Sequence, residues 1–522
     1  MRRRDWIGAA AALGSFGLMP GRLRADVPTH LWPGYDFGPG PRVPDRLNQG
    51  PFAIEQDEGW FTLAITTASE KPVPNYGLGL VGYAQEESGP SEPARAGRET
   101  LEHHVEKMAG LPFVDVLYIR CDWRDVQQRP GRLDLSPVWG LTLEAAKRHG
   151  KRAAFRVMLS NTVGQPKYLA MPDFVQAKVP IVSIGSIGEY GSFEFREPRY
   201  DHPEFQKAFR ELVELLAAQF DHNPLIEWID LMQYGFWGES HTGGLPSPFP
   251  DYVTAERTML SMARLQVESF QQAQLAVNTQ PDISMVGNRE VVDLCVRSGG
   301  WLRSDSIEVE EPEQIDALAN RPPWLASIME DGEFRRYDAR TPGYLPLDAA
   351  GVNQLENRML HVLDLGANYW SLWTEAAQLE EYDKRYPRGF TRLRQRMGYR
   401  VRPSWIWQRK RYAMNELVVA FMNDGVAGVT GVLRVTLKTA DGKVLGSGCL
   451  DAGHPYGGKT RQAAFLVPRE LEGQPVFFSA DLECKGAIRR PVRWACEQPL
   501  EPDGSYRVMV KKQSDRDWRK GI

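Results

Sequence analysis

Cysteine is scarce in this sequence. There are five in 522 residues, Cys121, Cys295, Cys449, Cys484 and Cys496. The number is odd, the spacings are wide and no CxxC occurs, which argues against a disulfide framework; only Cys484 and Cys496 are close enough in sequence to invite a pairing. Histidine is sparse too, with nine residues and no HExxH or other metal-ligand spacing, so no metal and no cofactor are expected. No GxSxG elbow, no P-loop and no GxGxxG at the start of a first helix is present. Beyond the N-terminus no run is long and apolar enough to span a bilayer, so stable membrane insertion is not expected. One-sided charge is missing as well. The formal charge is −4, and the first 25 residues alone carry +4, leaving −8 for the rest. A chain of that sign has no electrostatic footprint for nucleic acid or an anionic membrane surface.

What is present begins with a targeting pattern over residues 1–25. Arg3-Arg4-Asp5-Trp6-Ile7 resembles a twin-arginine export signal, followed by a short apolar run from Gly8 to Met19 and a small-residue cleavage site at Leu23-Arg24-Ala25. A periplasmic or secreted location is expected. Residues 26–74 are rich in proline and glycine and read as an ordered lead-in.

From about residue 75 short β-branched or aromatic runs alternate with longer amphipathic stretches. Eight strands are expected: Tyr76 to Ala84, Val114 to Trp123, Arg152 to Leu159, Ile226 to Tyr234, Leu275 to Thr279, Trp301 to Ile307, Trp324 to Met329 and Ala367 to Trp373. Helical spacing is clearest from Pro203 to Phe220, where Phe205, Phe209, Leu212, Leu215, Leu216 and Phe220 recur at helical spacing. Eight βα units over residues 75–404 predict a closed (β/α)₈ TIM barrel rather than an open doubly wound sheet. From residue 405 to 500 the pattern changes to strand-like runs separated by turns such as Asn423-Asp424-Gly425 and Asp441-Gly442, which predicts a C-terminal antiparallel β-sandwich. Residues 501–522 read as a polar, basic tail.

A barrel of this kind places its chemistry at the C-terminal ends of the strands. The fourth expected strand exits through Gly235-Phe236-Trp237-Gly238-Glu239-Ser240-His241. The seventh ends in Glu330-Asp331-Gly332. Two carboxylates facing each other across a barrel mouth are what glycosidic cleavage needs, one to protonate the leaving oxygen and one to attack or stabilise the oxocarbenium-like centre. Asp122, Asn278, Asp305 and Trp370 lie at or near other exits, Trp237 and His241 flank Glu239, and all six are candidates for contacting a carbohydrate.

This layout resembles the clan A glycoside hydrolases, in which the acid/base ends strand four and the nucleophile ends strand seven. The resemblance implies Glu239 as acid/base, Glu330 as nucleophile, Arg120 as the arginine supporting the nucleophile, and Trp373 as the floor of the sugar site. It covers roughly residues 75–400. The whole chain also resembles a group of bacterial barrel-plus-β-sandwich proteins read as glycosidases, in which a leader like Phe52-Ala53-Ile54-Glu55-Gln56-Asp57-Glu58-Gly59-Trp60 precedes a segment like Gly77-Leu78-Gly79-Leu80-Val81-Gly82-Tyr83. One position departs from the clan. Gly238 stands where an asparagine usually binds the sugar 2-hydroxyl, so either Asn278 or Trp237 serves that hydroxyl or the sugar is held differently. An exported retaining O-glycosidase acting on a poly- or oligosaccharide is the expectation. A non-catalytic carbohydrate-binding barrel and a transglycosylase using the same carboxylates stay open beside it. Desolvation near Trp237 is expected to keep Glu239 protonated for proton donation, while Arg120 keeps Glu330 ionised for attack.

Overall fold

The computed structural model describes residues 60–85, 100–187, 193–279, 288–307, 312–331, 354–373, 375–385, 387–450 and 460–512. The signal-like start, residues 26–59 of the lead-in with the Phe52–Gly59 stretch, and residues 513–522 of the tail lie outside the described residues.

The first strand, β1, is Trp60–Ile65. Then come β2 (Gly79–Tyr83), β3 (Val114–Asp122), β4 (Arg152–Met158), β5 (Ile181–Gly185), β6 (Phe195–Pro198), β7 (Ile226–Asp230), β8 (Leu275–Asn278), β9 (Trp301–Ser306), β10 (Ser327–Glu330) and β11 (Tyr369–Leu372). Eight of these, β2, β3, β4 and β7 to β11, close into a barrel in sequence order, every neighbouring pair parallel. Helices α1 (Leu101–Gly110), α2 (Pro137–Arg148), α3 (Asp173–Gln176), α4 (Pro203–Phe220), α5 (Tyr252–Ser269), α6 (Asn288–Arg297), α7 (Pro312–Ala319), α8 (Gln354–Asp364), α9 (Ala376–Arg385) and α10 (Gly389–Arg394) fill the connections. The chain is therefore a (β/α)₈ barrel, and all eight expected strands are in it. The antiparallel hairpin β5–β6 between the third and fourth barrel strands is an insertion that the alternating pattern does not announce.

Strand alternation sorts the barrel residues. Outward positions such as Leu117, Ile119, Phe155 and Ile229 pack against the helices, α4 contributing Phe205, Phe209, Leu212 and Leu216. Helix α4 starts at Pro203, whose missing N–H costs nothing at that position, and α5 is capped by Asp251 Oδ1, which accepts from Thr254 N at 2.8 Å. Inward positions form a separate cluster: Val81, Tyr83, Val116, Tyr118, Ala154, Trp228, Ala276, Trp301, Ala326, Ile328 and Tyr369. Its floor is aromatic. Trp228 and Tyr369 have ring centroids 4.9 Å apart, and the buried Glu227 beneath them accepts from Arg152 Nη1 at 2.5 Å, Gly77 N at 2.9 Å and Tyr369.

The remaining strands are β12 (Val401–Arg411), β13 (Met414–Asn423), β14 (Val432–Thr439), β15 (Val444–Cys449), β16 (Thr460–Val467), β17 (Pro475–Glu483), β18 (Arg489–Val492) and β19 (Tyr506–Met509). They form two antiparallel sheets, ordered β1-β12-β13-β16 and β15-β14-β17-β18, with β19 also on β17. The two sheets share one buried cluster, in which Leu417, Val419 and Phe421 of one meet Leu433, Val435, Val476 and Phe478 of the other. Three boundaries differ from those expected. Strand β12 starts at Val401, not 405; β1 comes from the lead-in; and β19 lies in the segment read as a tail. The tail reading failed because Tyr506 and Val508 alternate with Arg507 and Met509, a pattern too short to stand out among polar neighbours. All five cysteines are free.

The sheets seal the N-terminal end of the barrel. Arg400 Nη2 donates to the carbonyls of Ser69 and Lys71, each at 2.7 Å, Lys485 Nζ donates to Phe270 O at 2.7 Å, and the Arg490 guanidinium lies 5.2 Å from the Tyr76 ring centroid. Among the described residues no helix is long and apolar enough to cross a membrane, and no group of three His, Cys, Asp or Glu side chains is placed to hold a metal ion.

Candidate active site

Strand β7 ends at Asp230, earlier than the sequence suggests, and the chain then runs irregularly to a tight loop at 235–241. Gly235 sits at φ +79°, and a Cβ there would lie 2.1 Å from His241 O, so only glycine fits. Phe236 N donates to His241 O at 2.7 Å, Glu239 N to Phe236 O at 3.0 Å and Ser240 N to Tyr234 O at 3.0 Å. Two non-glycine residues, Trp237 (φ 55°) and Ser240 (φ 61°), are left-handed here, a conformation that costs on the order of 1 kcal/mol each and persists only where the surroundings enforce it. The inserted hairpin supplies part of that enforcement. Phe195 of β6 packs against Phe236 with centroids 5.0 Å apart and the rings tilted by 53°, and Tyr200 OH accepts from Gly235 N at 3.1 Å while donating to Glu197 at 2.6 Å.

The loop delivers Glu239 to the barrel mouth, 3% exposed, opposite Glu330, which ends β10 at 2% exposure. One guanidinium joins them. Arg120 donates through Nη2 to Glu239 Oε1 at 2.8 Å and through Nη1 to Glu330 Oε1 at 3.2 Å. Two hydrogen bonds from one planar guanidinium hold the two Oε1 atoms within about 8 Å of each other.

Each carboxylate has further partners that the sequence pattern does not reveal. Arg156 Nη1 donates to Glu239 Oε1 at 2.7 Å and to Trp237 O at 3.1 Å. Tyr83 OH donates to Glu330 Oε1. Arg303 Nη2 donates to Tyr83 OH at 3.1 Å and stands 3.0 Å from Glu330 Oε2. That last approach is out of line for a hydrogen bond, so the contact is electrostatic and Glu330 Oε2 has no hydrogen-bond partner among the described residues. Asp230, one layer deeper, accepts from Tyr118 OH at 2.5 Å, Trp228 Nε1 at 2.9 Å and Arg156 Nε at 3.3 Å, and lies 3.7 Å from Arg303 Nε. The Arg303 guanidinium sits 4.8 Å from the Tyr118 ring centroid.

His241 Nε2 lies 3.4 Å from Glu239 Oε2, and its Nδ1 accepts from Gly243 N at 3.1 Å. With Nδ1 an acceptor, the ring hydrogen is on Nε2 and points at Glu239. The expectation that desolvation keeps Glu239 protonated is overturned. Burial does oppose its charge, but Arg120, the His241 hydrogen bond and Arg156 together outweigh that and hold the carboxyl well below the usual carboxylate range.

The other candidates divide. Asp122 is buried two residues beyond Arg120 and accepts from Asn161 Nδ2 at 3.0 Å. Asn278 ends β8, buried, its backbone N donating to Gln233 Oε1 at 3.3 Å. Trp237 packs against His241 with ring centroids 5.6 Å apart and the planes tilted by 50°. Trp373 follows β11 and is partly buried against the inner cluster. Trp370 is removed from the site. It is fully buried in the outer layer beside Phe390 of α10, because alternation along β11 turns Tyr369 and Ser371 inward and Trp370 outward. The Asp305 side chain lies outside the described residues. Asp331, next to Glu330, is occupied elsewhere by Arg358 Nη1 at 2.9 Å. Gly238 has φ +74°, and a Cβ there would be in van der Waals contact with the Arg156 stem at 3.5 Å.

Three of the missed residues share a signal. Arg156, Asp230 and Arg303 are charged residues inside strands that a barrel covers on both faces, each two positions beyond an inward small or aromatic residue: Ala154, Trp228 and Trp301.

No protein-family model matches the chain, and no curated protein matches it either. Solved structures similar to it include endo-glycoceramidase II from Rhodococcus sp., at 10% identity and TM-score 0.37 over 75% of this chain and 97% of that one. Exo-beta-1,4-mannosidase Op5Man5 from Opitutaceae bacterium strain TAV5 is similar at 12% identity and TM-score 0.34, over 62% of this chain and 55% of that one. Xylanase XynB from Paenibacillus barcinonensis is similar at 11% identity and TM-score 0.33, over 56% of this chain and 83% of that one.

Proposed function

We propose that this protein is a glycoside hydrolase and that Glu239 and Glu330 are the pair that cleaves the glycosidic bond. One observation carries the reading: two buried carboxylates, leaving the fourth and seventh strands of a closed barrel at its C-terminal mouth, share the guanidinium of Arg120. Glu330 is the nucleophile. Tyr83 and Arg120 fix its Oε1, and Oε2, which accepts no hydrogen bond among the described residues, is the oxygen that attacks the anomeric carbon. Glu239 is the proton donor, and it must leave Arg120 and Arg156 to take up the proton it donates. Retention requires carboxyl groups about 5–5.5 Å apart, which the Arg120 bridge allows.

The sequence pattern at Arg3-Arg4 supports export of the folded enzyme to the periplasm or beyond. Cell fractionation of the Arg3→Lys, Arg4→Lys double variant tests it: a wild-type distribution ends the export reading.

A second reading has its own support. The ionised state of Glu239 in the free protein favours a barrel that binds carbohydrate without turning it over. Reducing-sugar release from a panel of polysaccharides and aryl glycosides separates the two, with Glu239→Gln and Glu330→Gln as controls. Release by the wild type and loss in both variants is expected. No release from any substrate favours the binding barrel, and full activity in both variants places the chemistry elsewhere.

A further inference from the structure

Among the described residues, six charged side chains form one buried cluster of ion pairs around the barrel mouth. Arg120, Arg156 and Arg303 face Asp230, Glu239 and Glu330, none more than 4% exposed. His241, whose Nδ1 accepts from Gly243 N, stands beside Glu239 with Nε2 at 3.4 Å from Oε2. The set is neutral, and a further charge entering so dry a site needs a counter-charge to come with it. It also holds unsatisfied groups of both kinds, since Arg303 Nε and Nη1 and Glu330 Oε2 have no hydrogen-bond partner among the described residues.

Proton donation requires a proton on Glu239. With Arg120 at 2.8 Å and Arg156 at 2.7 Å, both on Oε1, that carboxylate is held ionised. A neutral sugar changes neither contact. A sugar carboxylate changes both, because it offers the two guanidiniums the kind of partner they already hold, planar and able to accept two parallel hydrogen bonds. Gly238 leaves the ground beside Arg156 without a side chain, and the nearest atom to a Cβ there is Arg156 Cδ at 3.5 Å.

We propose that the sugar cleaved at this site carries a carboxylate, as a uronic acid does, that this carboxylate replaces Glu239 between Arg120 and Arg156, and that one proton from solvent enters with it and settles on Glu239. The inference rests on the catalytic pair proposed above and deepens it. The substrate's negative charge and the proton cancel, so the buried set is neutral again. That proton passes to the leaving oxygen as its bond to C1 breaks and Glu330 Oε2 bonds to C1. Water then cleaves the glycosyl–Glu330 bond, its hydroxyl going to C1 and its other hydrogen to Glu239.

The test is calorimetric titration of the full-length wild type with D-glucuronate and D-galacturonate, with D-glucose and D-galactose as neutral controls, at pH 7 in buffers of different ionisation enthalpy. The uronate is expected to bind at least about tenfold more tightly than its neutral counterpart, taking up about one proton per site. Glu239→Gln is expected to bind uronate without proton uptake, and Arg156→Met to lose the preference. Should Arg156→Met fail to fold, Arg156→Lys and Glu239→Gln still decide the matter. Equal affinity for neutral sugars, or tight uronate binding by the wild type without proton uptake, overturns the proposal. A turnover arm with aryl uronides and neutral aryl glycosides separates it from the catalytic reading. Cleavage of neutral glycosides alone, abolished by Glu330→Gln, overturns the acidic substrate and leaves the catalytic pair standing. Uronate binding with proton uptake but no cleavage of any glycoside leaves the carboxylate site standing and overturns the catalytic pair.

Discussion

Arg120 holds Glu239 with one terminal nitrogen, at 2.8 Å, and Glu330 with the other, at 3.2 Å. The two carboxylates come from strands on different sides of the barrel, so this one side chain sets their spacing. Arg120→Met removes the cation between two buried anions and should cost about 3–5 kcal/mol of stability. Arg120→Lys should not restore activity, because a point charge cannot bridge two carboxylates as a planar fork does. Denaturant unfolding and kcat of both variants check this; a Lys variant with wild-type kcat refutes the bridging role.

Glu239 contributes to stability in a definite pH window. Its folded carboxyl titrates well below the usual range, so the contribution is fully present above the unfolded value of about 4.3 and is lost as pH falls toward the folded one. Glu239→Gln should therefore be destabilised by a few kcal/mol at pH 7, about the cost of leaving a buried charge unpaired, and the gap to wild type should narrow between pH 5 and pH 3. Urea denaturation across that range measures it, and a gap that widens on acidification is the contrary result.

Glu197 runs in the opposite direction. Burial pushes its carboxyl up to about 7, against the hydrogen bonds from Ser160 and Tyr200 that favour the charged form. A raised folded value means stability that is full below the unfolded value and is lost as pH rises through the folded one. Relative to Glu197→Gln, the wild type should lose roughly 3 kcal/mol between about pH 4.5 and pH 7. Because Tyr200 OH also accepts from Gly235 N, ionisation of Glu197 should also disturb the loop carrying Glu239. Thermal melts of the two proteins at pH 5 and pH 8 give the comparison, and parallel curves would discard the assignment.

Two glycines should respond to alanine with opposite signs. At Gly235, φ is +79° and the new Cβ would meet His241 O at 2.1 Å, so Gly235→Ala should cost more than about 2 kcal/mol and displace Glu239. Gly140 is exposed within α2, and a methyl group added there would have no neighbour within 4 Å, so Gly140→Ala should stabilise by about 0.5–1 kcal/mol and leave turnover unchanged. Melting temperatures of the two variants moving the same way would contradict this.

The barrel was legible because each strand is a short β-branched or aromatic run bounded by helical spacing, and α4 was legible to the residue. The hairpin β5–β6 was not, because strands of five and four residues carry too little alternation to stand apart from loop. Glu239 and Glu330 were visible as acidic residues at strand exits. Their electrostatic setting was not, since Arg156 and Arg303 come from other strands, more than twenty residues away in the chain, and closure of the barrel alone brings them in. Trp370 and Trp373 looked equivalent as aromatic residues near one strand end, but three positions is an odd number, which puts them on opposite faces of a strand.

Strand β1 pairs with β12, Phe61 facing Gln408, and Thr66 Oγ1 donates to Pro403 O at 2.8 Å across 337 positions of sequence. The whole barrel is strung between those partners. During synthesis β1 emerges early and must wait, edge unpaired, until the barrel and then β12 have left the ribosome. A chain that stops after α10 lacks both β12 and the cluster that Leu63 packs against, so an incomplete product carries an open strand edge that a finished one has hidden.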